Sequence, residues 1–121
     1  MDFHDARLVS IELKGEGAVW LGVTDEGGQS WRIALENVDR LQATDFSEGN
    51  IILEVSNFRG VTPPLELLRR LFRVRQEADT PAYLLNRIER IERAELTLFY
   101  IAPSYGCEFI ALCESVSVSG V

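Results

Sequence analysis

Apolar and polar residues alternate with a period of two along the first part of the chain. Over residues 7–14, Val9, Ile11 and Leu13 fall on one side and Ser10, Glu12 and Lys14 on the other, the pattern of a half-buried strand. Gly15-Glu16-Gly17 reads as a turn. Residues 18–24 alternate again, with Val19, Leu21 and Val23 opposed to Trp20. Asp25-Glu26-Gly27-Gly28 supplies the paired glycines of a hairpin, and residues 30–36 set Trp31, Ile33 and Leu35 against Arg32, Ala34 and Glu36. These three strands predict an antiparallel meander. Residues 37–46, with Val38, Leu41 and Phe46, predict a less regular fourth strand and a loop. After Gly49-Asn50, a strand is expected with Ile51, Leu53 and Val55 on the core side.

The period then changes. Pro63-Pro64 ends the extended region, with Thr62 as a candidate N-cap. Leu67, Leu68, Leu71 and Phe72 recur at helical spacing, and Glu66, Arg69, Arg70 and Arg73 face away. A second helix follows Asp79-Thr80-Pro81, with Thr80 as cap and Leu84, Leu85, Ile88 and Ile91 as its apolar stripe. Alternation returns over 95–101, Pro103-Ser104-Tyr105-Gly106 reads as a turn, and 107–118 reads as one last strand apolar on both faces. The expected fold is α+β: a mostly antiparallel, curved sheet of about seven strands, with a two-helix insertion before the last two. At 121 residues the chain is expected to form one domain, 1–121.

Composition narrows the function classes. Hydrophobic residues are 46% and charged residues 26%, an ordinary globular balance. No run approaches the ~20 apolar residues of a membrane span, and residues 1–10 lack the apolar core of a secretory signal, so a cytoplasmic protein is expected. The net charge of −7 argues against nucleic-acid binding. It is unevenly spread: −7 over residues 1–58, +3 over 59–93 and −3 over 94–121. An acidic β-rich body of this kind can steer a basic partner. The arginines at 69, 70, 73, 75, 87, 90 and 93 form either a basic patch or a solvated helix face interleaved with glutamates. Cys107 and Cys113, if in one strand, lie roughly 20 Å apart, too far for a disulfide, and their spacing places them with Phe109 and Ala111 on a core face.

Two segments carry the candidate chemistry. Phe3-His4-Asp5-Ala6 sets the only histidine beside an aspartate at the entry to the first strand. Asp45-Phe46-Ser47-Glu48-Gly49-Asn50 sets polar and glycine residues at the entry to another. His4 and Asp5 point to opposite faces of an extended chain, and Asp2 with His4 gives only two ligands, so no metal site is expected. The Asp45–Asn50 spacing is not that of a calcium loop; Asp and Asn there suit turns that bond their own backbone. No phosphate-cradling glycine motif is present, and His4 is the only imidazole available to activate a nucleophile. A structural or binding role is expected for His4, Asp5, Asp45 and Asn50, with a cross-strand tie between His4 and Asn50 as one form of it. No catalytic residue and no cofactor are expected.

Phe3-His4-Asp5-Ala6-Arg7-Leu8-Val9-Ser10-Ile11, with Val38, Leu41, Asp45-Phe46 and Asn50-Ile51, resembles a group of small bacterial domains that look like the immunity proteins of polymorphic toxin systems with a His-Asp-Ala motif. The resemblance covers about the first 55 residues; residues 60–121 carry no matching motif. It implies a bacterial cytoplasmic β-rich domain that binds and neutralises a cognate protein toxin, with His4, Asp5 and Asn50 at the motif positions. The expected function is therefore non-catalytic protein binding to a toxin or another basic protein, with the acidic sheet surface as interface. A small-molecule-binding domain or an enzyme using His4 is the alternative. A self-pairing sheet edge would make a homodimer.

Overall fold

The structure is a computed structural model that describes residues 2–121. It is α+β, with one antiparallel sheet and two helices. The strands are β1 (Arg7–Gly15), β2 (Ala18–Thr24), β3 (Ser30–Glu36), β4 (Arg40–Thr44), β5 (Ile51–Phe58), β6 (Thr97–Tyr105), β7 (Glu108–Cys113) and β8 (Ser115–Gly120). The helices α1 (Leu65–Leu71) and α2 (Ala82–Glu92) lie between β5 and β6. The eight strands run in the order β4-β7-β6-β5-β1-β2-β3-β8.

The ladder stays open, yet its two edge strands continue strands of its interior. β3 runs into β4 through Asn37–Asp39, and β7 runs into β8 through Glu114. Each pair of segments stays in register across the break, because Glu114 N–H donates to Glu36 O (3.0 Å) and Asp39 N–H to Leu112 O (2.8 Å). The extra residue on the β3–β4 side is absorbed at Asn37, whose φ is 51°. Arg59 Nη1 braces the corner by donating to Glu114 O (2.8 Å) and Thr97 Oγ1 (3.0 Å). The single strand expected over 107–118 is thus two strands bent at Glu114, which raises the count from about seven to eight. The expected turn at Pro103–Gly106 is shorter than read: β6 extends through Tyr105, and Gly106 and Cys107 make the reversal.

The bent sheet wraps around the main core. Leu21, Val23, Ile33 and Leu35 from one half meet Ile52, Phe99, Ile101 and Phe109 from the other. Phe99 and Phe109 pack edge to face with centroids 5.9 Å apart. Each such side chain contributes roughly 1.5–3 kcal/mol by leaving water. Both cysteines are free and lie in this core, where burial pushes the Cys113 thiol up to about 12. The helices cover the outer face of β6 and β7, where Leu68, Leu71, Leu84 and Ile91 meet Leu98, Ile110 and Leu112. β6 and β7 are therefore apolar on both faces.

Bulges correct the expected phase of two strands. In β1, a shift between Leu8 and Ser10 turns Leu8 into the core and leaves Val9 52% exposed; Ile11 still packs inward, and Leu13 is exposed at the strand's far end. In β5, shifts on either side of Ile52 bury Ile52 and leave Leu53 47% exposed. Phe46 and Leu85 are also exposed. Neither threonine caps a helix: Pro64 and Pro81 occupy the N-cap positions, Thr62 Oγ1 donates to Glu92, and Thr80 Oγ1 accepts from Arg69.

Two arginines expected to face away from α1 instead tie it down. Arg69 is buried, donating to Arg75 O (2.8 Å) and Thr80 Oγ1 (2.7 Å), which holds the link between the helices. Arg70 forms a two-pronged pair with Glu108 of β7 (2.8 and 3.0 Å), and Tyr100 of β6 donates to the same carboxylate (2.7 Å). Burial raises the Glu108 pKa, but the Arg70 and Tyr100 hydrogen bonds outweigh it and leave it below its usual value. A depressed carboxyl stabilises the fold above its unfolded pKa, near 4.5, and that contribution is lost as pH falls through the lower folded value. Glu108→Gln is expected to lower stability at pH 7 by about 1–3 kcal/mol. Acid titration of unfolding, followed by circular dichroism, should show the difference between native chain and variant shrinking below pH 4.5.

Candidate functional site

The two polar segments meet in space as the seam that joins β1 to β5. Phe3–Ala6 is a tight turn in which Ala6 N–H donates to Phe3 O (2.9 Å). Phe3 and Ala6 point into the core, while His4 and Asp5 stand outside. Asp5 sits at φ 64°, a left-handed conformation that Asp tolerates better than most residues. The turn feeds a short ladder: Asp5 N–H to Ile52 O (2.8 Å), Ile52 N–H to Ala6 O (2.8 Å) and Leu8 N–H to Asn50 O (3.2 Å). Beyond it β1 leaves β5; the paired register between them is Arg7 with Ile51.

Asn50 closes one end of the seam. It is 1% exposed. Its Oδ1 accepts from Ser47 N–H (2.9 Å) and Cys107 N–H (3.0 Å), and its Nδ2 donates to Leu8 O (3.0 Å) and Ser47 O (2.6 Å). One amide thereby joins β1, the 45–49 loop and the β6–β7 turn. Gly106 is required opposite it: its φ is 84°, and a Cβ there would stand 2.5 Å from Asn50 Oδ1. Asp45 lies at the loop's start with φ 60°, exposed and outside the amide's set of bonds, so it shapes the turn by its backbone.

His4 closes the other end. Its Nδ1–H donates to Leu53 O (2.8 Å), its backbone N–H donates to Asp2 Oδ1 (2.9 Å), and its Nε2 lies 3.4 Å from Asp5 Oδ2. His4 and Asn50 are not bonded to each other; each ties the opposite strand's backbone. The bond to Leu53 O, then the charge of Asp5, with smaller contributions from Asp2 and Glu26, raises the His4 pKa above 6.5. Asp2 and His4 line a shallow surface hollow of about 270 Å³ with Leu53, Glu54 and Val55. Among the described residues, no three His, Cys, Asp or Glu side chains converge to hold a metal ion.

The sheet's second half presents a different surface. Glu12, Lys14, Trp20 and Arg32 share the outer face of β1, β2 and β3, where the Trp20 ring has Arg32 at 3.8 Å and Lys14 at 4.5 Å from its centroid. Neither helix covers this face; both pack on β6 and β7. At the end of the same strands, Asp5, Asp25 and Glu26 line one hollow with Arg7. The alternation of β2 placed Trp20 outward, but nothing in the sequence told which sheet face the helices would leave bare. No family model, curated protein or solved structure matches the chain.

Asn50→Ala is expected to cost about 3 kcal/mol or more, since it strands buried backbone groups on three segments; urea unfolding measures it. A histidine titration by NMR should place the His4 midpoint above 6.5, moving back toward it in Asp5→Asn. The stabilisation from that raised value is whole below pH 6.5 and fades as pH rises through the folded midpoint.

Proposed function

We propose that this domain works by presenting its surface to a protein partner, as a toxin-neutralising immunity protein does, rather than by catalysis. The observation that carries the reading is the bare outer face of β1–β3: a half-buried Trp20 held between two cations, on a sheet half that no helix covers. Tryptophan and arginine are the side chains most often found at the energetic centre of protein interfaces. The acidic rim of Asp2, Asp5, Asp25 and Glu26 at one end of these strands complements a basic partner and would speed its approach. The domain is expected to act in the cytoplasm of a bacterium.

The contact of His4 with Asp5, beside a surface hollow, favours the second reading, a small-molecule site or an enzyme using His4. One experiment separates the two. The chain is co-expressed with the basic product of a neighbouring gene, and complex formation and growth are measured. A one-to-one complex that protects growth is expected, weakened at least about tenfold by Trp20→Ala or Glu26→Lys and unchanged by His4→Ala. Loss of function on His4→Ala, with folding intact and no protein bound, would establish the second reading instead.

A further inference from the structure

β8 is an edge strand without the usual protection. Natural edges carry charges, prolines or bulges, or are covered, so that they do not pair with another chain. The other edge, β4, carries Arg40 and lies beside α1. Residues 115–121 hold only Ser, Val and Gly, in a chain of net charge −7. Val121 N–H donates to Ser30 O (3.0 Å), which sets the parity of the β3–β8 ladder. Ser115, Ser117 and Ser119 direct their peptide groups at β3, and Val116, Val118 and Gly120 direct theirs outward. Among the described residues, no hydrogen bond reaches those outward groups. Val116 and Val118 line a hollow of about 310 Å³ with Asn57, Arg59 and Thr97. Val118 lies opposite buried Ile33, on the core side of the sheet, yet is 44% exposed because nothing covers it there.

We propose that the occupant of this edge is β8 of a second copy, paired antiparallel about a two-fold axis at Val118. That register sets Val118 against Val118, and Val116 against Gly120 in both directions, so every outward N–H and C=O of the three residues meets a partner. It covers the exposed Val118 with its own mate. It also brings two acidic chains together along an uncharged strand, where like charges do not oppose each other. A C2 pairing of this kind is closed and does not propagate into a fibre. The dimer leaves the outer face at Trp20 free, so it stands apart from the partner-binding reading.

Light scattering and sedimentation of the native chain across the micromolar range test it. A mass of twice the chain is expected. Val118→Pro deletes an outward N–H without touching the β3 ladder, and Val118→Lys sets two ammonium groups side by side; each should weaken association at least about tenfold. Val118→Cys should oxidise to a covalent dimer, because directly opposed, hydrogen-bonded residues lie about 5.5 Å apart at Cα, within disulfide reach. A native chain that stays monomeric, including one that pairs this edge with a foreign strand, would overturn the proposal. So would a dimer indifferent to both Val118→Pro and Val118→Lys, or one in which Val118→Cys fails to cross-link.

Discussion

A buried amide and a handful of backbone hydrogen bonds hold the two halves of this sheet together. β1 and β5 are paired only where the His4-Asp5-Ala6 turn meets Asn50–Ile52, and the strands separate beyond it. Without that seam, the strand ladder of the half made of β1, β2, β3 and β8 would continue into the other only through the bent segments at Asn37–Asp39 and Glu114. The main core lies between the halves, so the seam is what keeps it sealed. Asn50 suits the position because an amide offers an acceptor and two donors in one plane. Its four short bonds reach three different segments, and a carboxylate or an aliphatic side chain would leave some of them unmet.

The division of labour between sheet faces follows from this arrangement. β6 and β7 are sandwiched between the core and the helices, and the Arg70–Glu108–Tyr100 cluster fastens α1 to them. The arginines that look in sequence like a basic patch are spent in part on structure: Arg69 holds the link between helices, Arg70 pairs with Glu108, and Arg87 pairs with Asp39. The opposite half of the sheet has no covering layer. Its outer face and its free edge at β8 carry no covering layer, and the proposed presentation of a surface rests on that exposure.

Much of this was legible in the residues. The meander over β1–β3, the two helices and the return to strands follow from hydrophobic period alone, and so does the outward placement of Trp20. What escaped was local backbone irregularity. A bulge changes the phase of a strand without changing its composition, so Val9 and Leu53 read as core while Leu8 and Ile52 occupy it. The bend at Glu114 divides a stretch that reads as one strand apolar on both faces, and only its partner segment reveals it. At the seam, the motif residues were visible but their partners were not: His4 bonds the carbonyl of Leu53 and Asn50 the peptide groups of Leu8 and Cys107, which no side-chain pattern encodes. Gly106 could have been suspected from its place in a turn, though not its closeness to Asn50.

The β1–β5 seam is expected to open only when the whole domain does. Native-state hydrogen exchange of the Leu8, Ile52 and Cys107 amides tests it most directly. All three are expected to exchange through global unfolding, with the same free energy and denaturant dependence as the amides of β6 and β7. Exchange of these three through a local opening, with β6 and β7 still protected, would contradict it.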